Sequence, residues 1–76
     1  MVTAYVMVKA NTGEADRLRA TIMDVDGVID SHIVAGDVDI IAKLDVDSPA
    51  DVKETAADGI QGVSGVEDTQ TYIAMD

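Results

Sequence analysis

Four strand-like stretches interrupted by two of helical period, in the order β-α-β-β-α-β, restrict this 76-residue chain to very few folds. Val2–Ala10 is rich in β-branched residues and holds neither Gly nor Pro, which is strand composition. Asn11-Thr12-Gly13 breaks the run. Asn11 with Glu14 three residues on is a capping-box candidate. Ala15, Leu18, Ile22 and Val25 recur at helical spacing and predict a helix over about Glu14–Asp24. Asp26-Gly27 ends it. Val28–Ala35 and Val38–Val46 read as strands, joined at Gly36-Asp37 in a tight hairpin turn. Ser48-Pro49-Ala50-Asp51 then marks a second helix start. Ser accepts a bond from an orphan N–H, Pro at the first helical position has no N–H to lose, and an acid favours the positive helix end. Val52, Ala56 and Ile60 supply the apolar stripe, so this helix runs over about Pro49–Ile60. Gly62 and Gly65 punctuate, and Val66–Met75 reads as the last strand.

That order is the split βαβ arrangement called ferredoxin-like, an α+β fold. Right-handed crossovers place both helices on one face of a four-stranded antiparallel sheet. A faint internal echo supports two related halves. Ala15-Asp16 opens one helix and Gly27-Val28 the strand after it; Ala50-Asp51 and Gly65-Val66 repeat the pattern.

A sheet covered on one side only should be polar on the other. Val2, Ala4, Val6 and Val8, with Val38, Ile40, Ala42, Leu44 and Val46, make the apolar face by alternation. Thr3, Tyr5, Met7 and Lys9, with Asp39, Ile41, Lys43 and Asp45, make the other. Tyr5, Met7 and Ile41 there would form a patch that monomers seldom expose. The expectation is a homodimer whose sheets pack face to face, as in dimeric α+β barrels; the alternative is a modestly apolar sheet left in water.

Size favours association too. One domain of this length buries only about 60–65% of its unfolded surface, and with no cysteine it gains no disulfide or zinc–thiolate reinforcement. The net charge of −10, with Lys9, Arg17, Arg19, Lys43 and Lys53 scattered, excludes a clustered phosphate-binding surface and so direct nucleic-acid binding. An ordinary apolar content of 47% beneath so acidic a surface points to life in concentrated salt, where screening removes the self-repulsion. The plainer account of that charge is solubility. No apolar run approaches a membrane span and no basic leader precedes the first strand, so a cytoplasmic location is expected.

Little catalytic chemistry can be assembled, and neither an enzyme nor a cofactor is expected. His32, the single histidine, shares a strand face with Asp30 and has no other distinctive neighbour. The Asp-Val-Asp triplets at 24–26, 37–39 and 45–47 lack the further ligands and closing Glu of a calcium loop, so no metal site is assigned. The middle triplet differs, because Gly36-Asp37-Val38-Asp39 sits between two strands. Gly there permits close backbone approach to a ligand, and Asp39 is expected to point away from the core. Thr69, Thr71 and Ile73 alternate along one side of the last strand, with two hydroxyls to offer.

These same residues carry a resemblance. His32–Lys43, with Gly36-Asp37-Val38-Asp39 at its centre, resembles the "(T/S)-G-(D/E)-(Y/F)-D" hairpin of the Lrp/AsnC (feast/famine) regulators' effector domain. Gly65-Val66-Glu67-Asp68-Thr69-Gln70-Thr71 is similar to that domain's closing "G-V-x-x-T-x-T" strand, and the likeness covers essentially the whole chain. The resemblance implies a stand-alone ligand-binding and oligomerisation domain without a helix-turn-helix. Such a domain dimerises through its sheets, assembles into higher rings and affects transcription through partners, full-length regulators among them. An amino acid or related small metabolite would bind between subunits, with Gly36, Asp37 and Asp39 at its polar end and Thr71 contributing from the last strand. The acidic surface suggests a haloarchaeal member. Val38 stands where the family has Tyr or Phe, which alters the pocket for the ligand's side chain. Three other readings remain: an amino-acid sensor of the ACT type, with sheets side by side, a small dimeric α+β-barrel enzyme built around His32, and a purely structural assembly partner for full-length regulators.

Overall fold

A computed structural model describes residues 2–11 and 13–76; Met1, and Thr12 in the first expected break, lie outside them. The strands are β1 (Val2–Ala10), β2 (Val28–Ile33), β3 (Ile40–Val46) and β4 (Val66–Ile73), all antiparallel in the order β2-β3-β1-β4. Helix α1 (Ala15–Met23) joins β1 to β2, and helix α2 (Pro49–Lys53) follows β3. Helix α2 continues without a break into a π-helical segment, Glu54–Ile60, in which the Gln61 N–H reaches back five residues to the Ala56 carbonyl. The ferredoxin-like βαββαβ expectation is met. Among the described residues no helix is long and apolar enough to cross a membrane.

Alternation builds the core. Ala4, Val6, Val8 and Ala10 of β1 and Ile40, Ala42 and Leu44 of β3 are buried beneath Leu18 and Ile22 of α1 and Val52, Ala56 and Ile60 of the second helix. Each fully buried Leu or Ile contributes about 1.5–3 kcal/mol. A strict four-residue spacing such as 52-56-60 drifts around a 3.6-residue helix. The wider π turns offset that drift and keep all three residues inward. Ser48 caps this helix as its sequence announces: its hydroxyl accepts the Asp51 N–H at 3.3 Å, and Pro49 holds the first position.

Three expectations need correction. The Asn11 capping box does not form; Glu14 is the N-cap without a side-chain cap bond, and Asn11 offers only its carbonyl, to the Glu14 N–H at 3.3 Å. Strand β4 stops at Ile73, two residues short of Met75. The connection between β2 and β3 is a six-residue loop, 34–39, and not a tight turn at Gly36-Asp37. Its cause is Asp39. The Asp39 N–H donates to the Val8 carbonyl at 2.9 Å, and the Ala10 N–H donates to the Asp39 carboxylate at 2.9 Å. The loop is thereby drawn onto the end of β1, where Ala10 lies beyond the reach of β3.

The internal echo extends to the backbone. Gly27 and Gly65 both take positive φ, 95° and 104°, a region that a Cβ would strain. The Gly27 carbonyl accepts the Asp45 N–H, and the Gly65 carbonyl the Asn11 N–H. Two residues beyond each glycine lies a bulge. Ile29 is passed over between Val28↔Leu44 and Asp30↔Lys43, and Glu67 between Ala10↔Val66 and Lys9↔Asp68.

Candidate functional site

The structure brings some of the sequence-chosen residues together and separates others. Gly36 and Asp37 are exposed, and Val38 is half-buried. Asp37 and Val38 hang over the end of β1 and β4, where they line a corner cavity of about 290 Å³ with Met7, Lys9, Asp68 and Gln70. Gly36 has an unremarkable φ and open space around its Cα, so no contact within the chain demands glycine there. Asp39 does not project freely from the sheet. One carboxylate oxygen holds the Ala10 N–H, and the Asp39 carbonyl takes the Val34 N–H at 2.9 Å, so this residue fixes the loop.

Thr71 lies elsewhere. It pairs with core-facing Val6, so its side chain is on the helix side of the sheet. There Thr69, Thr71 and Ile73 line a groove of about 280 Å³ against Pro49, Val52, Ala56 and Ala57. Within one chain, therefore, Thr71 and the Gly36–Asp39 loop occupy opposite faces.

The helix-free face reads across the strands in register. One row is Asp30-Lys43-Tyr5-Tyr72 and the next is His32-Ile41-Met7-Gln70. The Lys43 ammonium stands 6.0 Å from the Tyr5 ring centroid, within range of a cation–π attraction. His32 Nε2 meets the Asp30 carboxylate at 3.0 Å, with both side chains at least half exposed. That contact holds the Asp30 carboxyl below its usual value, burial opposing only partly. An enzyme built on His32 would need it in a cleft between helices and sheet. It sits instead on the opposite, open face.

A cleft of about 580 Å³ separates the start of the second helix from the β3 end. Asp26, Asp45, Asp47, Asp51, Glu54 and Asp58 line it. Among the described residues no three such side chains stand close enough to hold one metal ion.

Sequence reasoning missed Lys9, Asp68 and Gln70 as neighbours of Asp37. Register alone shows them, since Lys9 lies opposite Asp68 only once β1 is known to pair with β4. In sequence they stand 59 positions apart.

The model of the Lrp/AsnC ligand binding domain matches residues 3–76. A crystal structure of TTHA0845 from Thermus thermophilus superposes with a TM-score of 0.94 at 25% identity, covering 100% of this chain and 95% of that one. Escherichia coli AsnC gives 0.89 at 17% identity, over 99% of this chain and 51% of its own. A Neisseria meningitidis transcriptional regulator in complex with L-Met gives 0.85 at 16%, over 99% of this chain and 50% of its own. The chain thus spans about half of those two regulators, whose likeness at such identities is one of fold. No curated protein matches the chain. The match over residues 3–76 makes this chain a member of the Lrp/AsnC ligand-binding domain family.

Proposed function

We propose that this chain binds an amino acid or a closely related metabolite and couples that binding to its own assembly, acting on transcription through partner regulators and not through DNA contacts of its own. One observation carries the reading: the family match runs over residues 3–76, and the Neisseria meningitidis regulator of the same fold is complexed with L-Met. The net charge of −10 supports the exclusion of direct DNA contact. The open face supports self-association. Tyr5 and Tyr72 are 36% and 55% exposed, beside half-buried Met7 and Ile41 and with charges at the rim, the make-up of an interface core. The sheets of two copies pack through this face, and higher assembly follows.

The opposite placement of Thr71 and the Gly36–Asp39 loop gives assembly a role in binding. A ligand touching both needs the loop of one copy and the last strand of another. Such a ligand shifts the assembly equilibrium by its preference for the assembled state. The test is sedimentation with a thermal-unfolding screen of the twenty amino acids at low and high KCl. A dimer or larger species is expected, with at least one amino acid raising its melting temperature or size, and Asp37→Ala removing the response. A monomer at all salt concentrations that ignores every amino acid would overturn the reading. Asp39→Ala is a poorer variant, because it also releases the loop from Ala10.

A further inference from the structure

We propose that His32 makes self-association through the helix-free face proton-dependent. The assembled state selects the imidazolium form, paired with Asp30, so two copies associate more tightly in mild acid than in mild alkali. This rests on the reading of that face as the surface where copies meet, and adds to it a regulating proton and the residue that takes it.

The Asp30–His32 dyad lies where association would cover it. Both residues flank buried Ser31 on β2 and so project from the other side of the sheet. Their rows continue into Lys43 and Tyr5, and into half-buried Ile41 and Met7. The carboxylate is held at both oxygens: Oδ1 accepts the Ser31 N–H at 2.9 Å, and Oδ2 meets His32 Nε2 at 3.0 Å. It is thereby aimed at the ring. Two elements pack against β2. From β3, Lys43 stands across from Asp30, but its ammonium lies over Tyr5, 6.0 Å from the ring centroid. From α1, Arg19 gives its Nε–H to the Ser31 carbonyl, while Asp16 and Arg17 belong to the helix layer behind the sheet. Lys9, Asp45, Asp68, Tyr5 and Tyr72 are the other ionisable groups of the face by register. Among the described residues, His32 alone brings a basic nitrogen within 4.0 Å of the Asp30 carboxylate. Histidine is also the side chain whose ordinary titration falls between about pH 5 and 8, and this chain has one.

The sign follows from what must lose water. In the single chain the two side chains are 67% and 50% exposed, and an exposed pair of this kind is worth little. Covering the dyad with the ring neutral buries a carboxylate whose charge has no counter-ion in contact. Covering it with the ring protonated buries a pair of zero net charge. The lone ion costs more to desolvate than the pair, and attraction within the pair strengthens as the effective dielectric falls. Covering the face therefore favours the proton, and by reciprocity the proton favours covering the face. Net charge acts in the same direction, because each copy carries −10 with its histidine neutral and a proton on each ring lowers the repulsion. Asp30 stays ionised throughout: the His32 hydrogen bond, with the Ser31 N–H adding to it, holds its carboxyl below 3.8. The ring is the member of the dyad that changes charge. An effector that prefers the assembled state then acts alongside mild acid, each strengthening the other.

The test is sedimentation equilibrium of the full chain at about pH 5.5 and about pH 8, in molar KCl. Salt at that level screens charges beyond about 3 Å, so a dependence read there belongs to groups in contact. The wild type is expected to associate at least about tenfold more tightly at the lower pH. His32→Gln keeps a donor for Asp30 but takes no charge, and should associate equally at both. Asp30→Asn should lose the preference for acid, because an imidazolium would then be covered without its partner. Far-UV circular dichroism at both pH values confirms that the variants fold. A wild type that associates equally at both pH values overturns the proposal and leaves the self-association reading standing. So does a His32→Gln protein that keeps the wild-type dependence. A wild type that is monomeric at both overturns the two together.

Discussion

The two halves of this domain, β1-α1-β2 and β3-α2-β4, share a backbone plan and differ in what covers it. Both edge strands start from a left-handed glycine, bulge two residues later and set an aspartate opposite a lysine. The first half closes on itself. Helix α1 packs closely on β2, and buried Ser31 is tied to it: its carbonyl takes the Arg19 Nε–H at 2.8 Å, and its hydroxyl donates to the Arg19 carbonyl at 3.4 Å. The second half stays open. Its helix widens into π turns and barely touches β4, leaving the groove at Thr69 and Thr71 on one face and the corner cavity at Lys9 and Asp68 on the other. Charge follows the same division, with six acidic and three basic side chains up to residue 38 and nine and two after it. Duplicated local geometry does not duplicate a site. The side chains laid over it differ between the two copies.

The comparison can be broken at its shared element first. Gly27→Ala and Gly65→Ala are each expected to cost about 1–3 kcal/mol in urea unfolding, since both demand positive φ. Gly27 should cost more, because its new Cβ would meet Val46 Cγ1 at 2.9 Å. If only one of the two loses stability, the two glycines are not equivalent.

A second pair of variants sharpens the difference between the halves. Ser31→Ala removes a buried hydroxyl bond and should cost about 1 kcal/mol, whereas Thr69→Ala, at the matching place in β4, should stay within about 0.5 kcal/mol. Equal losses would mean that the groove is as well packed as its counterpart.

The charge asymmetry predicts a smaller, salt-dependent effect. Asp58→Asn in the acidic cleft should raise stability by about 0.5 kcal/mol in dilute buffer. The gain should vanish in molar KCl, where the Debye length falls to about 3 Å. A gain that survives molar KCl would point to packing and not to repulsion.

The smallest effect is in acid. Because Asp30 titrates below its ordinary 3.8 in the folded chain, its contribution is fully present above that pH and is lost as the pH falls through the folded value. His32→Ala removes the hydrogen bond that does most to lower it, so the acid limb of a stability–pH curve should move towards higher pH. A curve that His32→Ala leaves in place would assign the limb to other carboxylates.

Much of the fold was legible because its signals are local. The Ser48-Pro49 start, the 52-56-60 stripe and the alternation of β1 and β3 each follow from a few neighbouring residues, and the structure reproduces them. The 34–39 loop departs from a tight turn because Asp39, besides taking the Val34 N–H across the loop, is held by Ala10, 29 positions away. Asn11 failed as a cap for a related reason: spacing permits a capping box without enforcing one. Of the candidate site, Asp37 and Val38 were legible from the motif. Lys9, Asp68 and Gln70 were not, since nothing local distinguishes them from other polar residues of an acidic surface.

The sequence by itself determined the element order, the helix-covered face, the extreme charge and the family, because composition, period and motif are properties of short windows. Only the tertiary structure decided that Thr71 and the loop lie on opposite faces, that each half sets an aspartate across the strands from a lysine, and that Asp39 fixes the loop. Each of those depends on strand register, which joins residues tens of positions apart and is set by the packing of the whole sheet.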